Sequence, residues 1–130
     1  MKLAIYNDKG VVAIRYPRGG ETENAGELDL SEKLFDVFFD ENAGLTLVTY
    51  GRETGEVYKA AQRLTAEGVS LKLVKLNCIR PVPEGVLDIV LCSKKVYFFE
   101  EGMKNGGIAQ QMTTRLYEKG YTGTVSITAV

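Results

Sequence analysis

The chain has 130 residues, 45% of them hydrophobic and 25% charged, and its formal net charge is −1. That is one domain's length, enough to bury roughly two-thirds of the unfolded surface, and the balanced charge favours neither a nucleic-acid nor an anionic-membrane partner. No apolar run approaches the roughly 20 residues of a membrane span and no signal-peptide pattern opens the chain, so a soluble cytoplasmic protein is expected.

Histidine is absent, which removes Ser-His-Asp and Cys-His nucleophile systems and most zinc sites. Cys78 and Cys92 are too few for a disulfide framework and lack C-x-x-C spacing, so both are expected to be small buried apolar groups.

Met1 to Tyr6 reads as the last turns of a helix stopped by Asn7-Asp8-Lys9-Gly10. A helix this short does not stand alone in water, so an upstream packing partner is expected. Val11-Val12-Ala13 reads as a short buried strand, and Tyr16-Pro17 then holds the chain extended, because the residue before proline avoids helical geometry. Arg15 and Arg18 bracket that break, with Gly19-Gly20 behind them. Two readings stay open: an arginine fork holding a phosphate or carboxylate, or a solvated basic turn.

The polar stretch from Glu21 to Glu27 has no periodicity and is the best candidate for a domain boundary, within a linker over 21–33. Leu34 to Phe39 and Leu45 to Tyr50 read as strands, close enough in sequence to pair as an antiparallel hairpin. Thr54 to Glu67 carries Val57, Ala60, Ala61 and Leu64 at helical spacing, with Gly68 as its stop. Val69 to Leu76 is a strand whose lysines can snorkel outward. Pro83 opens a second helix with Val86, Val90 and Leu91 inward, and residues 95–99 form another buried strand. Gly106-Gly107 precedes a helix carrying Ile108, Met112 and Leu116, closed by Gly120, and Thr124 to Thr128 ends the series.

The order β-β-α-β-α-β-α-β, with nearly continuous apolar strands, predicts a three-layer α/β/α domain with a mostly parallel sheet. Glu100-Glu101 falls at a strand end, where open sheets bind ligands. The pair can serve acid–base chemistry, cap a helix dipole or meet a partner chain. Gly106-Gly107 can accept an anion or allow tight helix–sheet packing; the spacing is neither G-x-G-x-x-G nor a P-loop. Gly51 to Gly55 is a poor phosphate loop, and Arg52 and Arg80 at strand ends read as loop charges able to reach an anion.

Several of these segments together resemble the C-terminal region of the 1-deoxy-D-xylulose-5-phosphate synthase family, a branch of the transketolases. They are Ala13-Ile14-Arg15-Tyr16-Pro17-Arg18-Gly19, Leu47-Val48-Thr49-Tyr50-Gly51 and the Ala60-Ala61 helix leading to Leu64 and Gly68, then Val96 to Glu101 and Gly106-Gly107-Ile108. The RYPRG element is the specific part. The resemblance implies a transketolase C-terminal-domain-like fold, a five-stranded sheet with one antiparallel edge strand. It divides the chain into the tail of a pyrimidine-binding domain (1–20), a linker (21–33) and a C-terminal domain truncated at its end (34–130).

The family condenses pyruvate with glyceraldehyde 3-phosphate on thiamine diphosphate and Mg2+, feeding isoprenoid, thiamine and pyridoxal biosynthesis, as a homodimer. The resemblance gives Arg18, and less directly Arg15, the substrate's phosphate. Arg80-Pro81-Val82-Pro83 replaces the family's Lys-Pro-Leu-Asp-like turn, and the chain carries no Gly-Asp-Gly metal motif or cofactor-activating glutamate in its proper context. The implied protein is therefore a fragment that is inactive alone, binds no cofactor itself, takes triose phosphate weakly if at all, and has the parent's other domains as partners. The alternative is a stand-alone non-catalytic domain for dimerisation or partner docking.

Overall fold

A computed structural model describes residues 10–14 and 33–129. Five strands form one sheet: β1 (Phe35–Phe39), β2 (Leu45–Tyr50), β3 (Lys72–Leu76), β4 (Lys95–Glu100) and β5 (Thr124–Ala129). Three α-helices connect them, α1 (Thr54–Ala66), α2 (Glu84–Leu91) and α3 (Ile108–Glu118), with a 3-10 turn at Gly51–Glu53 leading into α1. The spatial order is β1-β3-β2-β4-β5. All neighbours are parallel except the edge strand β1, which runs antiparallel to β3.

Consecutive strand residues point to opposite faces, and the apolar residues divide accordingly. Leu47 and Leu73 pack with Val57 and Ala61 of α1. Val48, Val74 and Phe98 pack with Val86, Leu87 and Val90 of α2 and Ile108, Met112 and Leu116 of α3. One helix therefore covers one face and two cover the other, giving the expected three layers. Strands β2 and β3 are almost wholly buried, so Leu47 and Leu73 place apolar side chains on one face and Val48 and Val74 on the other.

Helices α1 and α3 end alike. The Gly68 N–H reaches Thr65 O and the Val69 N–H reaches Leu64 O; the Gly120 N–H reaches Tyr117 O and the Tyr121 N–H reaches Leu116 O. Both glycines have positive φ, the left-handed residue that such a double closure needs.

Strand β1 departs from the hairpin expectation: it pairs with β3, not β2. Strand β2, buried on both faces, takes the centre, and two strand spacings, about 10 Å, separate it from β1. The five-residue link 40–44 can span that distance, and it crosses the start of β3. There the Asp40 N–H donates to Leu71 O, Ser70 Oγ donates to Asp40 Oδ2, and Lys72 Nζ donates to Glu41 O.

Lys72 is therefore buried rather than snorkelling outward, and Lys75 is largely buried as well. Other expectations are also corrected. Val11, Val12 and Ile14 are exposed and form no strand, having no strand partner among the described residues. Ala60 is exposed on α1, where it lines a cleft beside the helix, while Val57 and Ala61 are buried against the sheet. Cys92, just past the end of α2, is exposed, and Cys78, in the loop after β3, is half-buried. The helix tail expected at residues 1–6 lies outside the described residues, as does the linker apart from Lys33.

Candidate functional site: the C-terminal edge of the sheet

From β2 the chain crosses to β3 by way of α1 on one face. From β4 it crosses to β5 by way of α3 on the other. Strands β2 and β4 are adjacent, so the order reverses between them, and the carboxyl ends of those two strands flank the crevice where open α/β sheets bind ligands. Tyr50 closes β2 and Glu100 closes β4.

Glu100 is buried, 3% exposed. Its Oε2 accepts the Ala109 N–H at 3.0 Å and lies 3.4 Å from the donating Tyr50 hydroxyl. Ala109 is in the first turn of α3, where backbone N–H groups lack helical partners and the helix dipole favours a negative charge. The carboxylate thus caps α3 from the neighbouring strand. Of the roles open to this glutamate in the sequence, helix capping is the one the geometry realises. Its Oε1 is buried with no partner.

The diglycine is explained by the same contact. A Cβ on Gly107 would overlap both Glu100 Oε1 and the Met103 carbonyl oxygen, so the backbone must pass the carboxylate without a side chain. Gly106 has φ +79 and open space around it, so its requirement is conformational. Gly106-Gly107 is therefore a close-approach element, and the anion position at the start of α3 is taken by the chain's own carboxylate.

The carboxylates act on the neighbouring phenol. Burial raises the Tyr50 phenol above its ordinary range, and the charge of Glu100, its hydrogen bond and the charge of Glu101 add to the shift. Glu101 itself is exposed. Arg52, in the 3-10 turn after β2, and Arg80, in the loop after β3, are also exposed. Gly51 to Gly55 forms that turn and the start of α1 rather than an open phosphate loop. Arg15 and Arg18 lie outside the described residues, so the structure does not bring them to this edge or separate them from it. Tyr50 was not singled out in the sequence; its place directly before Gly51 at a central strand's carboxyl end is the signal that marks it.

A second concave feature lies on the α1 face. A cleft of about 480 Å3 runs beside the helix, walled by Leu45, Leu47, Val57, Leu64, Tyr97 and Phe99, with Glu53 and Glu56 also lining it. Among the described residues no group of three or more acidic, cysteine or histidine side chains could hold a metal. No helix among them is long and apolar enough to cross a membrane.

Residues 39–127 match the family model described as transketolase, C-terminal domain. Among curated proteins, the 1-deoxy-D-xylulose-5-phosphate synthase of Geobacillus sp. (strain WCH70) is 27% identical over 125 residues, 91% of this chain and 19% of that protein. The pyruvate dehydrogenase E1 component subunit beta of Acholeplasma laidlawii is 26% identical over 126 residues, 92% of this chain and 38% of that protein. The chain thus spans about a fifth of the synthases' length. Among solved structures, a split gene transketolase in an inactive beta4 tetramer aligns with TM-score 0.63 and 23% identity, covering 74% of this chain and 31% of that one. The shared fold is the one derived above.

Proposed function

The chain belongs to the transketolase C-terminal domain family, and from that premise we propose that it is part of a thiamine-diphosphate-dependent transferase. The reaction is condensation of pyruvate with glyceraldehyde 3-phosphate, with loss of carbon dioxide, to 1-deoxy-D-xylulose 5-phosphate. The observation that carries the reading is the likeness to the synthases along nine-tenths of the chain, joined to the sequence Arg15-Tyr16-Pro17-Arg18-Gly19. In this reading residues 1–20 are the tail of a pyrimidine-binding domain and 21–33 a linker. Arg18, seconded by Arg15, holds the aldehyde substrate's phosphate, in a cytoplasmic homodimer of the parent chain.

The described residues do not fit the cofactor. No metal-ligating cluster converges among them, and the glycine-flanked N-terminus of α3 is filled by Glu100, whose charge repels a diphosphate. Thiamine diphosphate and Mg2+ belong, in this proposal, to the parent's other domains, and the chain forms one wall of the substrate site. Two charge-assisted bonds to a phosphate contribute on the order of 3–6 kcal/mol gross, against roughly 4 kcal/mol or more for lost freedom on association. The chain alone should therefore hold triose phosphate no better than about millimolar. Purified and supplied with pyruvate, glyceraldehyde 3-phosphate, thiamine diphosphate and Mg2+, it should give no turnover above blank. Sustained turnover would refute this reading.

A second reading, a non-catalytic domain that self-associates, is favoured by the apolar cleft beside α1, where Tyr97 is 38% exposed on a sheet face covered by one helix. Light scattering tests the self-association itself. A concentration-dependent dimer of the chain alone, abolished by Tyr97→Asp, supports self-association; a monomer at all concentrations rejects it.

A further inference from the structure

At the opposite end of the sheet from Glu100, a cavity of about 530 Å3 opens between β1, the start of β3 and α2. Its volume lies within the range of small-molecule sites. Lys72, at the start of β3, lines it and is 2% exposed. Val37 and Ile89 supply apolar wall; Asn42, Glu41 and Asp88 supply polar groups; Cys92 lies alongside.

The lysine is the unusual member. An ammonium group carries three donors, and a buried charge is costly unless paired and hydrogen-bonded. Lys72 Nζ makes one hydrogen bond, 3.2 Å to the Glu41 main-chain oxygen, and no carboxylate among the described residues lies within 4.0 Å of it. Its charge is felt at Asp40, but only as the smallest of the influences there. Strand β3 carries this cation between Leu71 and Leu73, on the same face as Val37 and Val74, where an apolar residue would pack at no such cost. A buried cation with spare donors, lining a cavity, suits an anionic oxygen from outside the chain.

The rest of the lining narrows the class. Glu41 and Asp88 bring two negative charges to the same cavity, which disfavours a dianion such as a phosphate monoester and offers a partner to a second, cationic group. We propose that this cavity binds a small zwitterion with an apolar body, of α-amino-acid type. Its carboxylate is held by Lys72, its ammonium faces Asp88 and Glu41, and its side chain lies against Val37 and Ile89. The site is separate from the carboxyl edge of the sheet and does not rest on the function proposed above.

The test uses the whole 130-residue chain with L-leucine and L-phenylalanine as probes, and 4-methylpentanoate, 3-methylbutylamine and inorganic phosphate as comparators. At ten times its dissociation constant, an amino acid should raise the melting temperature by roughly 5 °C. It should also slow modification of Cys92 by a thiol reagent several-fold. Lys72→Met should abolish both effects and Lys72→Arg retain them; Asp88→Asn should erase the preference for leucine over 4-methylpentanoate. Should Lys72→Met fail to fold, the protection of Cys92 in the unaltered chain and the Asp88→Asn preference decide. The proposal is overturned if neither amino acid, at about a hundredfold below molar concentration and up to its solubility limit, shifts melting or protects Cys92, or if phosphate does so and the amino acids do not. It is also overturned if a folded Lys72→Met variant binds like the unaltered chain.

Discussion

Replacing Gly107 by alanine probes the contact that organises the carboxyl edge of the sheet. The backbone of Gly107 has φ −70 and ψ 173, which any residue adopts, so alanine brings no conformational penalty there. Its Cβ would overlap Glu100 Oε1 and the Met103 carbonyl oxygen. Forced overlap of this kind typically costs about 1–3 kcal/mol. Turning Glu100 away to relieve it forfeits the Ala109 N–H bond, a charged hydrogen bond worth about 1.5–3 kcal/mol. The combined expectation is about 3 kcal/mol, or a fall of roughly 10–20 °C in melting temperature for a domain of this size.

Gly106→Ala is the comparison. At φ +79 with nothing near its Cβ position, it should cost only the left-handed penalty, about 1–2 kcal/mol. Urea unfolding followed by circular dichroism measures both. A Gly107→Ala, Glu100→Ala double variant should show less than additive loss, because removing the carboxylate relieves one of the two overlaps and leaves Met103. The close approach of Gly107 to Glu100 is refuted if Gly107→Ala costs less than Gly106→Ala, or if the double variant is strictly additive.

Glu100→Gln keeps the shape and an acceptor for Ala109 but loses the charge facing the helix dipole, so a loss of about 1 kcal/mol is expected in the same assay; no change would mean that the charge contributes nothing to the cap. Tyr50 and Tyr121 are held protonated above their ordinary range, both chiefly by burial. The folded chain then keeps protons that the unfolded chain releases near pH 10. Stability should be level below about pH 10 and fall as pH rises through the raised values. Tyr50→Phe should flatten part of that fall in alkaline urea melts, and an identical slope would contradict the assignment. Cys92 is exposed and Cys78 half-buried, so a thiol reagent should modify Cys92 first in the native protein, with mass spectrometry of peptides as the check. Thr46 and Ser93 share a buried hydroxyl contact of 2.5 Å; Thr46→Val orphans Ser93 and should cost about 1–3 kcal/mol, whereas a neutral result would place water at that contact.

Element types were legible in the sequence because period and punctuation agreed. The helices over 54–66 and 108–118 fell between clear glycine stops, and β2 and β3 read as strands buried on both faces; β4 read the same way, yet its Lys95 and Tyr97 are exposed on a face that one helix covers in part. The pairing of β1 was not legible. Nearness in sequence suggests a hairpin, but which strand takes the centre is a contest between whole faces, and β2 takes it with Leu47 buried on one face and Val48 on the other. The positive φ of Phe39, at the point where the chain leaves β1 to cross β3, carries no residue signal. Lys72 misled for a related reason: a lysine in a strand is ordinarily a surface residue, and the crossing link that bonds it at Glu41 is not predicted by a hairpin.

At the candidate site the glutamate pair and the diglycine stood out separately, and their relation did not. That Glu100 reaches the turn beyond Gly107 depends on where α3 sits against β4, a tertiary fact. The two arginines of RYPRG, the most specific element in sequence, lie outside the described residues.

The direct measurement is steady-state kinetics on a chimaera in which this chain replaces the matching fifth of the Geobacillus synthase, with and without Arg18→Ala. If Arg18 holds the phosphate, its loss removes charge-assisted bonds worth about 1.5–3 kcal/mol. The KM for glyceraldehyde 3-phosphate should then rise roughly 10- to 150-fold, with the KM for pyruvate unchanged. A chimaera that assembles and turns over with the same KM for glyceraldehyde 3-phosphate, whether or not Arg18 is present, would contradict the account.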